Sequence, residues 1–325
     1  MLEEQYISHL SDYTSWDQLS HAEDHIVFPE NIGPFLTIDE TSLSQGELYI
    51  IITNKEANGQ KGCLLAMIKG VDSERIKSIL HRKIPLEKRR QVKEVTPDMA
   101  ANMEQIVRKT FTRATLVTDR FHVQKLAYDA LQQMRIEYRW QALEQENNEI
   151  ELSKQVGKTF KPHILENGDT PKQLLARSRY LLFKRKDGWT PSQVHRAEIL
   201  FKKYPRLEQA YNLAQNLGHI YSIKEKGVAF TKLAQWYNRV EEFGFKQFNT
   251  ISRTIQSHYQ TILNYFDKRS TNAAAELAVR NPSMQRSKHS EPNLEALEMS
   301  ASFYIDSLKS ILSTISPQLY CLIRF

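Results

Sequence analysis

The chain has little sulfur chemistry to offer: two cysteines, Cys63 and Cys321, in 325 residues. Two thiols cannot build a zinc cluster, and they read as free thiols in a reducing compartment. Long hydrophobic runs are missing as well. The longest apolar stretches, such as residues 48–53 and 63–68, fall far short of the ~20 residues that span a bilayer. The chain does not open on a basic segment followed by an apolar run, which argues against secretion. Composition fits neither a collagen-like nor a disordered class, and no repeat of ~20 to 50 residues is visible, which excludes a solenoid. These absences leave a soluble cytoplasmic protein with no membrane partner. Its 41% hydrophobic content suffices for one large domain or two ordinary ones.

Positive charge is absent from one end and concentrated elsewhere. Residues 1–46 contain nine acidic residues and no Lys or Arg. Residues 153–206 contain thirteen Lys/Arg against four Asp/Glu, a local +9 that exceeds the net +6 of the whole chain. Such a segment favours a polyanion, because phosphate electrostatics dominate nucleic-acid binding; a solvated helix face is the plainer alternative. Lys184, Arg185, Lys186, Lys202 and Lys203 are its candidate DNA contacts.

Periodicity divides the chain. After a polar, acidic leader (1–32), the runs at 35–38, 48–53 and 63–68 are short, apolar and partly β-branched, with Gly and Asn between them. They predict three strands in a meander. Asp72 and Ser73 can cap a helix over 74–81, where Ile76, Ile79 and Leu80 recur at helical spacing. A strand at 91–96, a helix at 99–110 and a strand at 114–118 complete the order β-β-β-α-β-α-β. From about 121 to 265 the pattern is long-period and helical, with Trp140, Trp189 and Trp236 expected in helix packing rather than on a stacking platform. The last part, from 277, is charged and turn-rich and then apolar without a cap, and does not continue what precedes it.

Three acids fall at predicted strand ends: Asp39 after the first, Asp98 just beyond the fourth and Asp119 after the fifth. In such a sheet the first and fourth strands are neighbours, so Asp39 and Asp98 can meet across 59 residues. An isolated Asp at a strand end is more often a turn former or cap, so the case rests on the set.

That set resembles the DDE transposases of bacterial insertion sequences. The motifs that carry the resemblance are Ile38-Asp39-Glu40, Thr96-Pro97-Asp98-Met99, Asp119-Arg120-Phe121-His122-Val123 and Thr271-Asn272-Ala273-Ala274-Ala275-Glu276, in order over roughly 33–276. The resemblance implies an α/β, RNase H-like mixed sheet over 33–123 and a helical insertion over 124–262. It implies a catalytic helix starting at 263–276, and a catalytic and metal-holding triad of Asp39, Asp98 and Glu276. Two divalent cations, Mg2+ with Mn2+ able to substitute, would sit ~3.5 to 4 Å apart and serve an in-line phosphoryl transfer, and carboxylate oxygens suit such hard cations. Asp119 and His122 would lie beside the site. A rival assignment makes Asp119 the second acid, and His122 is equally well read as a hydrogen-bonded packing partner. The partners implied are DNA, both transposon ends and target, and further copies of the chain in an active oligomer, with nucleoid association when DNA is bound. Members normally carry a zinc-binding or helix-turn-helix module ahead of the core. The leader here is short, acidic and Cys-free, so end recognition is expected from a separately encoded chain. Position 97 is Pro where the family tends to have an aliphatic residue. An RNase H-like nuclease or resolvase, and a DNA-binding remnant without turnover, share these features and remain as alternatives.

Beyond Glu276 the family continues with a basic run of the type Asn-Ala-Lys-Ile-Lys-Ala-Phe-Arg, which is not visible at 277–325. Pro282 to Arg286 can be encoded by CCG TCA ATG CAA AGA, and from the third nucleotide this reads Val-Asn-Ala-Lys. Ordinary codons for the residues that follow can give Ile-Lys-Ala-Phe-Arg-Ala. The tail is therefore expected to be translated in a shifted frame, with low or absent transposition activity although the three acids survive.

Overall fold

The computed structural model describes residues 17–42, 46–60 and 62–268, which fall into two compact units that meet in sequence between Asp119 and Arg120. No helix among the described residues is long and apolar enough to cross a membrane.

The first unit is a six-stranded mixed sheet. Its strands are β1 (His25–Val27), β2 (Phe35–Ser42), β3 (Leu48–Asn54), β4 (Leu64–Lys69), β5 (Glu94–Pro97) and β6 (Thr115–Leu116), in the spatial order β1-β4-β3-β2-β5-β6. The β2, β3 and β4 meander is antiparallel, whereas β5 pairs with β2, and β6 with β5, in parallel. The meander forms because Leu48–Asn54 and Leu64–Lys69 are apolar, largely β-branched or Leu-rich runs, shapes that fit a buried pleated surface. Parallel strands need crossovers, and three helices make them: α1 (Ser73–Lys83), α2 (Leu86–Gln91) and α3 (Ala101–Thr110).

Asp72 caps α1 by accepting a hydrogen bond from the Arg75 amide at 2.8 Å. Ile76, Ile79 and Leu80 of α1 and Met103, Ile106 and Val107 of α3 then bury one face of the sheet together with Leu36, Ile38, Ile50, Ile52 and Val95. On the opposite face Ile26, Ile51, Leu64 and Met67 cluster under β1, β4 and β3. Toward β2 and β5 that face carries the buried polar residues Thr37, Glu94 and Thr96.

Two elements depart from the expectation. Strand β1 lies within the supposed leader, so the sheet begins before residue 33; three residues are too few to register as an alternating pattern. Helix α2 occupies the start of the run expected as a strand, and β5 begins only at Glu94. Pro97 closes β5, where its missing N–H removes nothing from the interior of the ladder.

Edge strand β1 carries a pH-sensitive group. His25 is buried, its Nδ1 lies 2.9 Å from Asp24, its ring stacks on His21, and its Nε2 is buried without a hydrogen-bond partner. Lys83 lies against His21, and Arg75 pairs with Asp24. Burial pushes the His25 pKa down, the Asp24 hydrogen bond pushes it up, and the net lies below the ordinary 6.5. An unfolded histidine therefore takes a proton at a pH where the folded one does not, and stability present above pH 6.5 is lost as pH falls toward the folded value. The thermal midpoint is expected to fall between pH 7.5 and 5.5, and to fall less in His25→Phe; an equal fall in both would remove His25 as the cause.

The second unit is entirely helical. Helix α4 (Arg120–Gln155) is followed by α5 (Pro171–Arg177), α6 (Pro191–Lys203), α7 (Pro205–Ile220), α8 (Lys226–Phe243), α9 (Lys246–Ser257), α10 (Tyr259–Leu263) and α11 (Tyr265–Lys268). Thr170 and Thr190 start α5 and α6 with full capping boxes, each followed by Pro at the first helical position. In α4, Val123, Ala127, Ala130, Leu131 and Met134 are buried at helical spacing, against α7, α5 and α9. No described residue of α4 beyond Arg135 is buried. Trp236 is in the core as expected, its indole N–H donating to the Leu213 carbonyl at 2.9 Å. Trp189 is half-buried and donates to the Leu181 carbonyl. Trp140 contradicts the expectation: on the outer half of α4 it is 66% exposed, because the helix outruns the bundle it packs on.

Candidate active site

The parallel half of the sheet sets the acids in register. Ile38 pairs with Pro97, so the next residues, Asp39 and Asp98, lie opposite each other. The ladder continues on the other side of β5: the Val117 amide donates to the Val95 carbonyl at 3.0 Å and the Asp119 amide to the Pro97 carbonyl at 3.2 Å. Asp119 is thereby opposite Asp98. Three aspartates thus stand in a row across β2, β5 and β6, one strand spacing of about 4.8 Å apart. Asp98 and Asp119 lie beyond the ends of β5 and β6, whereas Asp39 lies within β2, which runs on to Ser42 in its pairing with β3 instead of ending before the acid as expected. Alternation assigns their face, because Leu36, Ile38, Val95 and Leu116 point to the helix-covered core. The acids belong to the opposite, polar face.

All three are half-buried. One Asp39 oxygen accepts from the Glu40 amide at 2.8 Å, and one Asp98 oxygen accepts from the Ala100 amide at 2.8 Å just ahead of α3. The second bond is an Asx-type turn, so it fixes the Asp98 carboxylate rather than consuming it: each carboxylate has two oxygens and about four acceptor sites. By sheet order Asp98 is nearer Asp39 than Asp119 is. The row offers oxygen donors only, the chemistry that Mg2+ takes. Among the described residues no group of three or more His, Cys, Asp or Glu side chains is gathered closely enough to hold a metal. Glu276 lies outside the described residues, as does the tail at 277–325. His122 is half-buried in the first turn of α4, its ring 5.9 Å from that of Phe121.

Beneath the acids lies a group that sequence reasoning missed. Asn54 caps a short 3-10 turn, Lys55–Ala57, and delivers Lys55 onto the polar face. Its ammonium donates to Glu94 at 3.1 Å and to the Thr96 hydroxyl at 2.5 Å, with side-chain exposures of 11% for Lys55 and 3% for Glu94. Thr37 and Thr53 bond across the neighbouring pair of strands at 2.6 Å. The signal was legible in Glu94-Val-Thr-Pro-Asp98, whose polar residues alternate, but a lysine two strands away in sequence carries no such pattern.

The basic segment belongs to the second unit. Six of its thirteen bases face carboxylates: Lys154 with Glu151, Lys172 with Glu146, Arg177 and Arg196 with the buried Asp169, Lys186 with Glu208 and Lys202 with Glu166. Three of those acids come from outside the segment, which is why its charge overstates the field. Among the described residues no carboxylate pairs with Lys184, Arg185 or Lys203; Arg185 donates to His219 at 2.8 Å and Lys203 lies 5.9 Å over the Tyr204 ring.

A mixed six-stranded sheet with helices, followed by a helical unit, is an α/β architecture consistent with an RNase H-like transposase domain. The family model for ISL3-type DDE transposases matches residues 36–284, most of the chain, and the chain belongs to that transposase family. No curated protein and no solved structure matches it. The match extends past Glu276 and stops within the tail.

Proposed function

We propose that Asp39 and Asp98, with Glu276, are the metal-holding acids of a DNA strand-transfer centre, and that the frame shift after Glu276 leaves this chain with little or no transposition. The observation that supports the acid assignment is the in-register pairing of Asp39 and Asp98 on adjacent parallel strands. Two divalent cations, when bound, would supply activation of the attacking hydroxyl and stabilisation of the leaving oxygen. The chain's own contribution is positional. The β2 and β5 ladder holds two carboxylates at one level, and the turn at Ala100 orients one of them. Asp119 borders the same row, and it remains the alternative second acid.

DNA is the partner. Phosphates of transposon end and target would be held through Lys184, Arg185 and Lys203, with Lys186 and Lys202 contributing less because each faces an acid. Assembly of several copies belongs to the same reading.

The deciding experiment uses a gene with the frame restored beyond Glu276, supplied with Mn2+, a cut transposon end and target DNA. Joining of the end to the target is expected, while the 325-residue chain joins little or none. Hydrolysis without joining would make the protein a nuclease. DNA binding with neither would make it a remnant. Robust joining by the 325-residue chain would overturn the frame-shift reading.

A further inference from the structure

The polar face of the sheet holds a buried cation that the acid site does not use. Glu94, Thr96 and Asp98 follow one another at every second residue of β5, so the acid row lies about 6.6 Å beyond Thr96 along the strand. Lys55 is clamped to Glu94 and Thr96, with both charged groups nearly closed to solvent. Burial pushes the Lys55 pKa down, and the charges of Glu94 and Asp119 push it back up, the net being downward. The Asp119 contribution means that the ammonium is within electrostatic reach of the row. Its partner Glu94 is two residues further from the row than Thr96, so the pair is an oriented dipole with its positive end toward the acids. A buried pair of this kind is a poor stabiliser, because the desolvation of both ions offsets their attraction, and stability alone does not account for it.

We propose that Lys55 is a built-in counter-cation beneath the acid row, which eases repulsion among Asp39, Asp98 and Asp119 in the metal-free site and thereby weakens the row's affinity for divalent cations. The inference rests on the metal-site reading above. In a low-dielectric site a unit charge at this separation acts on a divalent ion with considerable force, so removal of the cation should change affinity by at least about fivefold.

The test is Mn2+ titration of the full 325-residue chain by calorimetry, with no DNA and no turnover required. Lys55→Met is expected to tighten Mn2+ binding at least about fivefold, and Glu94→Gln, which leaves the ammonium unopposed, to weaken it. Lys55→Arg should bind as the wild type does. Should either single variant fail to fold, the double variant Lys55→Met/Glu94→Gln removes both buried charges, and it is expected to bind between wild type and Lys55→Met. A purely structural pair would shift both single variants in the same direction or shift neither, and either result overturns the role of Lys55. If the wild type shows no Mn2+ binding that Asp39→Asn removes, the metal-site reading falls, and this inference with it. Wild-type binding with unidirectional variants overturns the Lys55 inference alone.

Discussion

Asp39→Asn and Asp98→Asn are each expected to lower Mn2+-dependent strand transfer at least about 100-fold in a chain with its frame restored, the scale on which loss of one preorganised electrostatic contact acts. Asparagine keeps the shape of aspartate and can still accept one hydrogen bond, as from the Glu40 or Ala100 amide, so the fold should survive. What it loses is the charge that holds a divalent cation. Glu40→Gln is the control: the residue is exposed and adjacent to Asp39, but alternation sends it to the other face, and activity should hold. Asp119→Asn separates the two assignments. A loss smaller than that of Asp98→Asn keeps Asp98 as the second acid; a larger one would hand that role to Asp119.

Charge reversal at Lys184, Arg185 and Lys186 is expected to weaken DNA binding strongly and without regard to sequence. If three phosphates are neutralised, the salt slope should fall by about 2.7, which corresponds to about 40-fold in affinity between 50 and 200 mM salt. The structure grades the three. Lys186 already faces Glu208 at 3.8 Å, so Lys186→Glu alone should do least, and Arg185→Glu most. Lys202→Glu, beside Glu166, should also have a small effect, whereas Lys203→Glu should act like Arg185→Glu. A gel or filter assay at two salt concentrations reads both quantities. Unchanged binding of the triple variant at low salt would show that the DNA lies elsewhere.

Much of the sheet was legible because its meander strands are long and strongly apolar. Leu48 to Thr53 could be little else, and the Asp72 cap with Ile76, Ile79 and Leu80 marked α1 to within a few residues. The short elements were not legible. Strand β1 is three residues set in polar surroundings and is recruited by pairing with β4, a tertiary cause that leaves no local pattern. Helix α2 follows Pro85 in a run whose charges masked it. The acid row was accessible because β2 and β5 are adjacent in the expected topology; the Lys55–Glu94 pair was not, since it depends on where a 3-10 turn releases the chain after β3. Net charge misled in the second unit for a related reason. Counting along 153–206 omits Glu146, Glu151 and Glu208, which reach the segment's bases from outside it. Trp140 was misplaced because periodicity continues along α4 after its packing partners end.

The most direct test of the acid assignment is a crystal of the frame-restored chain soaked in Mn2+ and recorded at the manganese absorption edge. Anomalous density is expected against the carboxylates of Asp39 and Asp98, with Glu276 as the third ligand, and it should vanish in Asp39→Asn crystals. Density held by Asp39 and Asp119 with Asp98 turned away, or no density at the row in crystals that bind Mn2+ elsewhere, would contradict it.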